Sequence, residues 1–157
     1  MIDFIFDLDG TLTNAREYID PQFKEFMHEF TEKYSCSICT GSDYDKVEEQ
    51  LGKDLTNKFD TLFLSSGNHV VQDGKDVYKS KWKLSDEEYW FLMEKVKASN
   101  YFNKVSDSLN SIEPRIGCAN FSVIGVGEFQ LDRSTYSAWD KQHKERQQIA
   151  EAFKFFE

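Results

Sequence analysis

The chain has 157 residues, a formal net charge of −9 and a pI near 4.9, with 39% hydrophobic and 15% aromatic residues. This is the composition of a folded globule with one core, or with a small core and an inserted cap. The acidic balance argues against nucleic acid and anionic membranes, which bind positive charge; no run approaches 18 apolar residues and no basic, apolar leader is evident, so a cytoplasmic location fits.

A strand is predicted over residues 2–6, running straight into Asp7-Leu8-Asp9-Gly10-Thr11-Leu12-Thr13. A helix follows over 21–34, where Phe23, Phe26, Met27 and Phe30 recur at i, i+3, i+4 and i+7 and form an apolar stripe. A second strand ends at Cys39, a helix covers 43–51 and a third strand covers 61–64. Strands alternating with helices predict a parallel sheet in an α/β fold, in which ligands bind beyond the carboxyl ends of the strands. Asp7, Asp9 and Thr40 all fall there. Cys36 and Cys39 form a C-x-x-C, but no second pair completes a tetrahedral zinc site, so they read as residues of the second strand.

Beyond Ser65 the pattern changes. Residues 70–78 predict a hairpin turning at Asp73-Gly74, followed by a helix over 86–98, strands over 112–115 and 121–124, and a last helix from about 135 to the end. Residues 1–81 are read as the core and 82–157 as an α/β cap. Tyr89, Trp90, Tyr136 and Trp139 are expected to pack rather than to bind a cofactor.

Asp7 and Asp9 share one side of an extended chain, and Gly10 lets the backbone turn closely beside them. Two carboxylates so placed suit phosphoryl transfer: one attacks phosphorus and carries the group as an aspartyl phosphate, and the other moves the proton of the leaving or incoming oxygen. Mg²⁺ prefers oxygen ligands and offsets the repulsion between an anionic nucleophile and a phosphate. The loop Thr40-Gly41-Ser42, at a helix N-terminus, can accept a phosphate oxygen through its hydroxyls and amides.

The first motif resembles that of the haloacid dehalogenase superfamily. The resemblance implies a Mg²⁺-dependent phosphatase or phosphomutase on a doubly wound parallel α/β core, with Asp7 the nucleophile and Asp9 the acid/base, and Mg²⁺ held by the Asp7 side chain, the Asp9 carbonyl and a later acidic residue. Three longer stretches resemble the eukaryotic-type phosphomannomutases. They are Asp7 to Arg16, Thr40 to Gly52, and Ile112-Glu113-Pro114-Arg115-Ile116-Gly117-Cys118-Ala119-Asn120-Phe121-Ser122-Val123-Ile124-Gly125. That family resemblance assigns Arg115, Asn120 and Arg133 to the sugar phosphate, with Arg16 contributing from the core side. It implies conversion of mannose 6-phosphate to mannose 1-phosphate with a hexose 1,6-bisphosphate as activator, and it allows a homodimer through the cap. A guanidinium suits the distal phosphate, because its planar fork binds two oxygens and stays charged.

The chain departs from the family pattern at three places. Val126 stands where the family has another cap arginine. Ser65-Ser66-Gly67 replaces a Glu-Asn-Gly. The family's return to the core, with its lysine and acidic metal-binding segment, has no counterpart before Glu157. The alternatives are therefore a Mg²⁺-dependent sugar-phosphate phosphatase and a truncated, non-catalytic sugar-phosphate-binding remnant.

Overall fold

The computed structural model describes residues 2–101, 111–125 and 130–156, with no side-chain description for 130–132. Val126, named above for its departure, lies outside the described residues. By its contacts the chain divides into two units: Met1–Trp82 with Arg115–Cys118, and Lys83–Pro114 with Ala119–Glu157.

The first unit is built on a five-stranded sheet of order β1-β2-β3-β4-β5. Strands β1 (Asp3–Phe6), β2 (Ser35–Cys39) and β3 (Thr61–Leu64) run parallel, and the hairpin β4 (His69–Gln72) and β5 (Lys75–Lys79) continues the sheet antiparallel. Register sets Phe4 beside Cys36, Phe6 beside Ile38, Ile38 beside Leu62 and Leu62 beside Val71. Because side chains alternate with a period of two, these residues share one face. That face meets α1 (Pro21–Lys33), α2 (Tyr44–Leu51) and α3 (Lys53–Thr56) in a core that includes Met27, Val47, Leu51 and Leu55. Burying each such side chain contributes about 1.5–3 kcal/mol. Ile5, on the opposite face of β1, stays 65% exposed.

Helix α1 starts where Asp20 accepts the amides of Gln22 and Phe23, each at 3.0 Å, with Pro21 as its first residue. The predicted apolar stripe is only partly buried. Met27 is covered, whereas Phe23 and Phe26 are exposed and stack on each other at 5.9 Å. The reason is position: β1 is the edge of the sheet, and the outer part of the stripe reaches past it. Phe30 still meets Phe4 edge-on at 5.0 Å.

Helix α2 begins at Tyr44, one residue later than predicted, because Asp43 is its cap and accepts the Lys46 amide at 3.0 Å. It ends at Gly52, whose φ of 81° and ψ of 148° are open in practice to glycine alone. A Cβ there would lie 2.7 Å from both Lys24 Nζ and Asp54 Oδ1. The Lys24 ammonium, helped by His28, holds the Asp54 carboxyl down to about 2.

The second unit contains α4 (Asp86–Ala98), α5 (Gln130–His143) and α6 (Glu145–Phe153), and has its own core of Leu92, Tyr101, Val123, Ile124, Tyr136 and Ile149. A capping box opens α4: Ser85 Oγ accepts the Glu88 amide at 3.2 Å, and Glu88 accepts the Ser85 amide at 2.6 Å. Strands β6 (Ile112–Arg115) and β7 (Cys118–Phe121) pair as a separate small sheet.

Three expectations are corrected here. The strand predicted over 121–124 is instead β7 at 118–121: Gly117 (φ 69°) sets the turn, so pairing starts directly after it, and Val123 and Ile124 turn inward before Gly125 (φ 89°). The single last helix starts at Gln130 and is broken at Lys144 (φ 56°). Asp140 clamps the break by accepting the Arg146 amide at 2.9 Å and its Nε at 2.7 Å. Tyr136 and Trp139 join the packing as expected, but Tyr89 and Trp90 are exposed and meet chiefly each other at 5.5 Å, since α4 buries only Leu92 and Val96.

Gly52→Ala is expected to destabilise the chain by about 1–3 kcal/mol, the cost of forcing a Cβ into this backbone region. A lowered urea midpoint at unchanged slope checks it.

Candidate active site

The site starts from Leu8, which is completely buried while Asp7 before it is exposed and Asp9 after it is half-buried. The Leu8 carbonyl accepts the amides of Thr11, Leu12 and Thr13 at 3.2, 2.9 and 3.1 Å, and the Gly10 amide closes on the Thr13 carbonyl at 2.7 Å. Gly10 takes a φ of 84° to make this turn. The loop is therefore wound tightly under the carboxyl end of β1, with the two aspartates flanking its anchor.

The aspartates are held differently. Asp7 makes no hydrogen bond among the described residues. On Asp9, Oδ1 accepts the Arg16 amide at 3.0 Å and Gln50 Nε2 at 3.4 Å, and Oδ2 accepts the Ser42 hydroxyl at 3.4 Å. Arg16 thus reaches Asp9 through its backbone, in a left-handed conformation (φ 65°), while its side chain is exposed. Gln50 was not among the residues singled out from the sequence. Its signal was a polar side chain at i+3 from Val47 on the buried face of α2, where all of Val47, Gln50 and Leu51 are enclosed.

The second loop follows β2. Thr40 and Ser42 are buried, and the Thr40 hydroxyl accepts the Ser42 amide at 3.1 Å. Arg115 donates from Nη1 to the Gly41 carbonyl at 2.7 Å, which sets a guanidinium beside this loop. The turn after β3 braces it: the amides of Ser65 and Ser66 donate to the carbonyls of Ser42 and Thr40 at 2.9 and 3.0 Å. To do so, Ser65, Ser66 and Gly67 take successive φ values of 48°, 56° and 86°. Two non-glycine residues in this region cost of order 1–3 kcal/mol each and persist only where surroundings impose them. Ser65 Oγ is buried with no hydrogen-bond partner among the described residues.

The structure therefore brings Asp7, Asp9, Arg16, Thr40, Gly41, Ser42 and Arg115 into the first unit. Asn120 and Arg133 belong to the second, where Asn120 Nδ2 donates to Glu113 Oε2 at 3.3 Å and Arg133 sits half-buried on α5. Among the described residues no group of three His, Cys, Asp or Glu side chains gathers as a metal site. Cys36 and Cys39 are odd-spaced on β2, so they face opposite sides of the sheet. Both are unbonded thiols, and burial, reinforced by Asp60, pushes the Cys36 thiol up. A cavity of about 430 Å³ opens beside the first loop, between Gly10, Asn14, Glu17, Tyr18 and Phe23. Among the described residues its lining includes the carboxylates of Glu17 and Asp20 and no Lys, Arg or His.

The family model described as eukaryotic phosphomannomutase matches residues 23–156. A phosphomannomutase of Nicotiana benthamiana is 34% identical over 149 residues, covering 91% of this chain and 58% of that protein. Phosphomannomutase 1 of Mus musculus is 32% identical over 164 residues, covering 96% and 59%. The chain thus spans 58–59% of the length of these curated relatives. Among solved structures, a haloacid dehalogenase-like hydrolase from Bacteroides thetaiotaomicron overlays with a TM-score of 0.45 at 20% identity, covering 60% of this chain and 36% of that one. The family model's match begins at residue 23, after the first loop.

Replacing Ser65 with Ala removes a buried hydroxyl that has no partner, and the expected change in unfolding free energy lies between zero and about 1 kcal/mol of added stability. Replacing it with Gly, which also relieves the positive φ, is expected to stabilise further. Chemical denaturation of both variants against the parent checks the order.

Proposed function

The chain belongs to the eukaryotic phosphomannomutase family, and on that premise we propose that it serves phosphoryl transfer on hexose phosphates, interconverting mannose 6-phosphate and mannose 1-phosphate through a hexose 1,6-bisphosphate. The observation that carries the reading is the unequal pair around Leu8: an exposed carboxylate without hydrogen bonds among the described residues, two residues from one held by three donors. An attacking oxygen must be unencumbered, and a proton carrier must be aimed.

In this reading Asp7 attacks phosphorus. The bond between Asp7 and phosphorus forms as the bond from phosphorus to one sugar oxygen of the hexose 1,6-bisphosphate breaks, and Asp9 gives its proton to that oxygen, leaving a hexose monophosphate. The reverse step, at the free hydroxyl of the other hexose monophosphate, breaks the bond between Asp7 and phosphorus, remakes the bisphosphate and restores the proton to Asp9. Thr40, Gly41 and Ser42 would cradle the transferring phosphate through their hydroxyls and amides, while Arg115 and Arg133 would hold the distal phosphate. Arg16, Arg115, Asn120 and Arg133 are the residues that the resemblance assigns to the sugar phosphate.

The Asp7 carboxylate and the Asp9 backbone carbonyl would offer only oxygen donors, which suits Mg²⁺ bound together with substrate phosphate. When bound, the ion would neutralise charge developing on the phosphoryl oxygens. No described helix is long and apolar enough to cross a membrane, and a cytoplasmic location belongs to the same reading.

The test supplies mannose 1-phosphate with a catalytic amount of hexose 1,6-bisphosphate and Mg²⁺, and follows both products by phosphorus NMR. Mannose 6-phosphate is the expected product, whereas inorganic phosphate alone would make the protein a phosphatase. Asp7→Asn is expected to lower turnover by about 10⁴ to 10⁶, as when one member of a nucleophilic unit is lost. Asp9→Asn should cost about 10² to 10⁴, the span of general acid–base catalysis. Undiminished turnover in purified Asp7→Asn would remove that residue as nucleophile.

A further inference from the structure

We propose that Gln50 is a positioning residue for Asp9, locked by Thr13, and that the pair commits Asp9 to moving its proton through Oδ2. This rests on the acid/base role given to Asp9 above. Gln50 and Thr13 are both 6% exposed, and the Thr13 hydroxyl donates to Gln50 Oε1 at 2.6 Å. Its other acceptor within reach, the Leu8 carbonyl, is at 3.4 Å, so the single hydroxyl proton goes to Gln50. An amide that accepts on its oxygen from Thr13 must present its nitrogen on the other side. There Nε2 lies 3.4 Å from Asp9 Oδ1. The Gln50 backbone is tied in as well, since its carbonyl accepts the Ile19 amide at 2.9 Å and so joins α2 to the segment after the first loop.

The consequence concerns which oxygen carries the proton. Oδ1 faces two N–H groups, from Arg16 and Gln50, and neither can accept a hydrogen bond. A proton on Oδ1 would point at donors, so Oδ1 stays the carbonyl-like oxygen in both protonation states. Oδ2 faces only the Ser42 hydroxyl among the described residues, at 3.4 Å. A hydroxyl can donate to a carboxylate or accept from a carboxylic acid by rotating, so this contact survives proton transfer. Gln50 performs the aiming with a neutral group. A lysine there would hold Asp9 ionised, and a glutamate would repel it; only an amide or hydroxyl donor leaves Asp9 able to cycle.

The experiment uses leaving groups. A sugar oxygen needs a proton to leave, whereas 4-nitrophenolate leaves without one, so the two substrates separate a misaimed acid from a disturbed site. Gln50→Leu, with Gln50→Met and Thr13→Val in support, is expected to lower kcat on mannose 1-phosphate about tenfold or more, with KM near the parent's. The burst of 4-nitrophenol that reports phosphorylation of Asp7 by 4-nitrophenyl phosphate should slow less than about threefold, because general-acid help is not needed in that step. Independently of turnover, the Gln50 side-chain amide signal in ¹⁵N-labelled chain, identified by its loss in Gln50→Met, should shift in both Asp9→Ala and Thr13→Val. Equal losses on the two substrates, or an amide signal indifferent to Asp9→Ala, would overturn the proposal. A parent active on the aryl phosphate but not on the hexose phosphate would instead sink the mannose phosphate reading, leaving the amide signal to decide the role of Gln50.

Discussion

The enclosure of Leu8 is the constraint on which the first unit depends. Alternation along β1 sends Leu8 to the inward face with Phe4 and Phe6 and both aspartates to the other, so the buried leucine costs no buried charge. The chain then turns at Gly10 and folds three amides onto the Leu8 carbonyl. The apolar side chain then enters the core with Leu12 and Ile38, while the carboxylates stay on the outer side of the loop. Positions of both aspartates follow from the packing of the one residue between them.

A second constraint is the shape of the loop after β2, which is held from two sides. The Arg115 guanidinium donates to the Gly41 carbonyl, and the turn after β3 accepts backbone strain while its amides donate to the carbonyls of Thr40 and Ser42. Helix α2 has a part in this that its length of eight residues does not suggest. It grows out of this loop, carries Gln50 to Asp9, and stops at a glycine whose conformation lets α3 follow immediately.

The second unit shows the same logic of a charge fixed to make a break. Asp140 is buried, yet it binds the amide and the guanidinium of Arg146 and so holds the chain through the left-handed residue Lys144. The Tyr136 hydroxyl donates to Glu145 at 2.8 Å across the same break, and burial, with Glu145 beside it, pushes that phenol up. The bend brings Ile149 into a core with Tyr136 and Leu92.

Local rules made much of this legible in the sequence. The strand before Asp7, the strand over Thr61–Leu64, the hairpin at Asp73-Gly74 and the helix over Asp86–Ala98 follow from short-range periodicity, capping and turn chemistry, which the residues carry themselves. The turn at Asp7-Leu8-Asp9-Gly10, with both aspartates outside a buried leucine, was likewise legible, because alternation and glycine freedom are properties of the segment. What needed the tertiary structure was everything set by neighbours distant in the chain. Periodicity marked the stripe on α1 as apolar but could not show that β1 is an edge and leaves Phe26 uncovered. It marked a helix near the end but not the break at Lys144, which exists because Asp140 and Arg146 can meet across it. Nor could it show Gln50 reaching Asp9 over 41 positions, since hydrogen-bond partners are chosen by the packing of α2 against the first loop and not by the sequence of either.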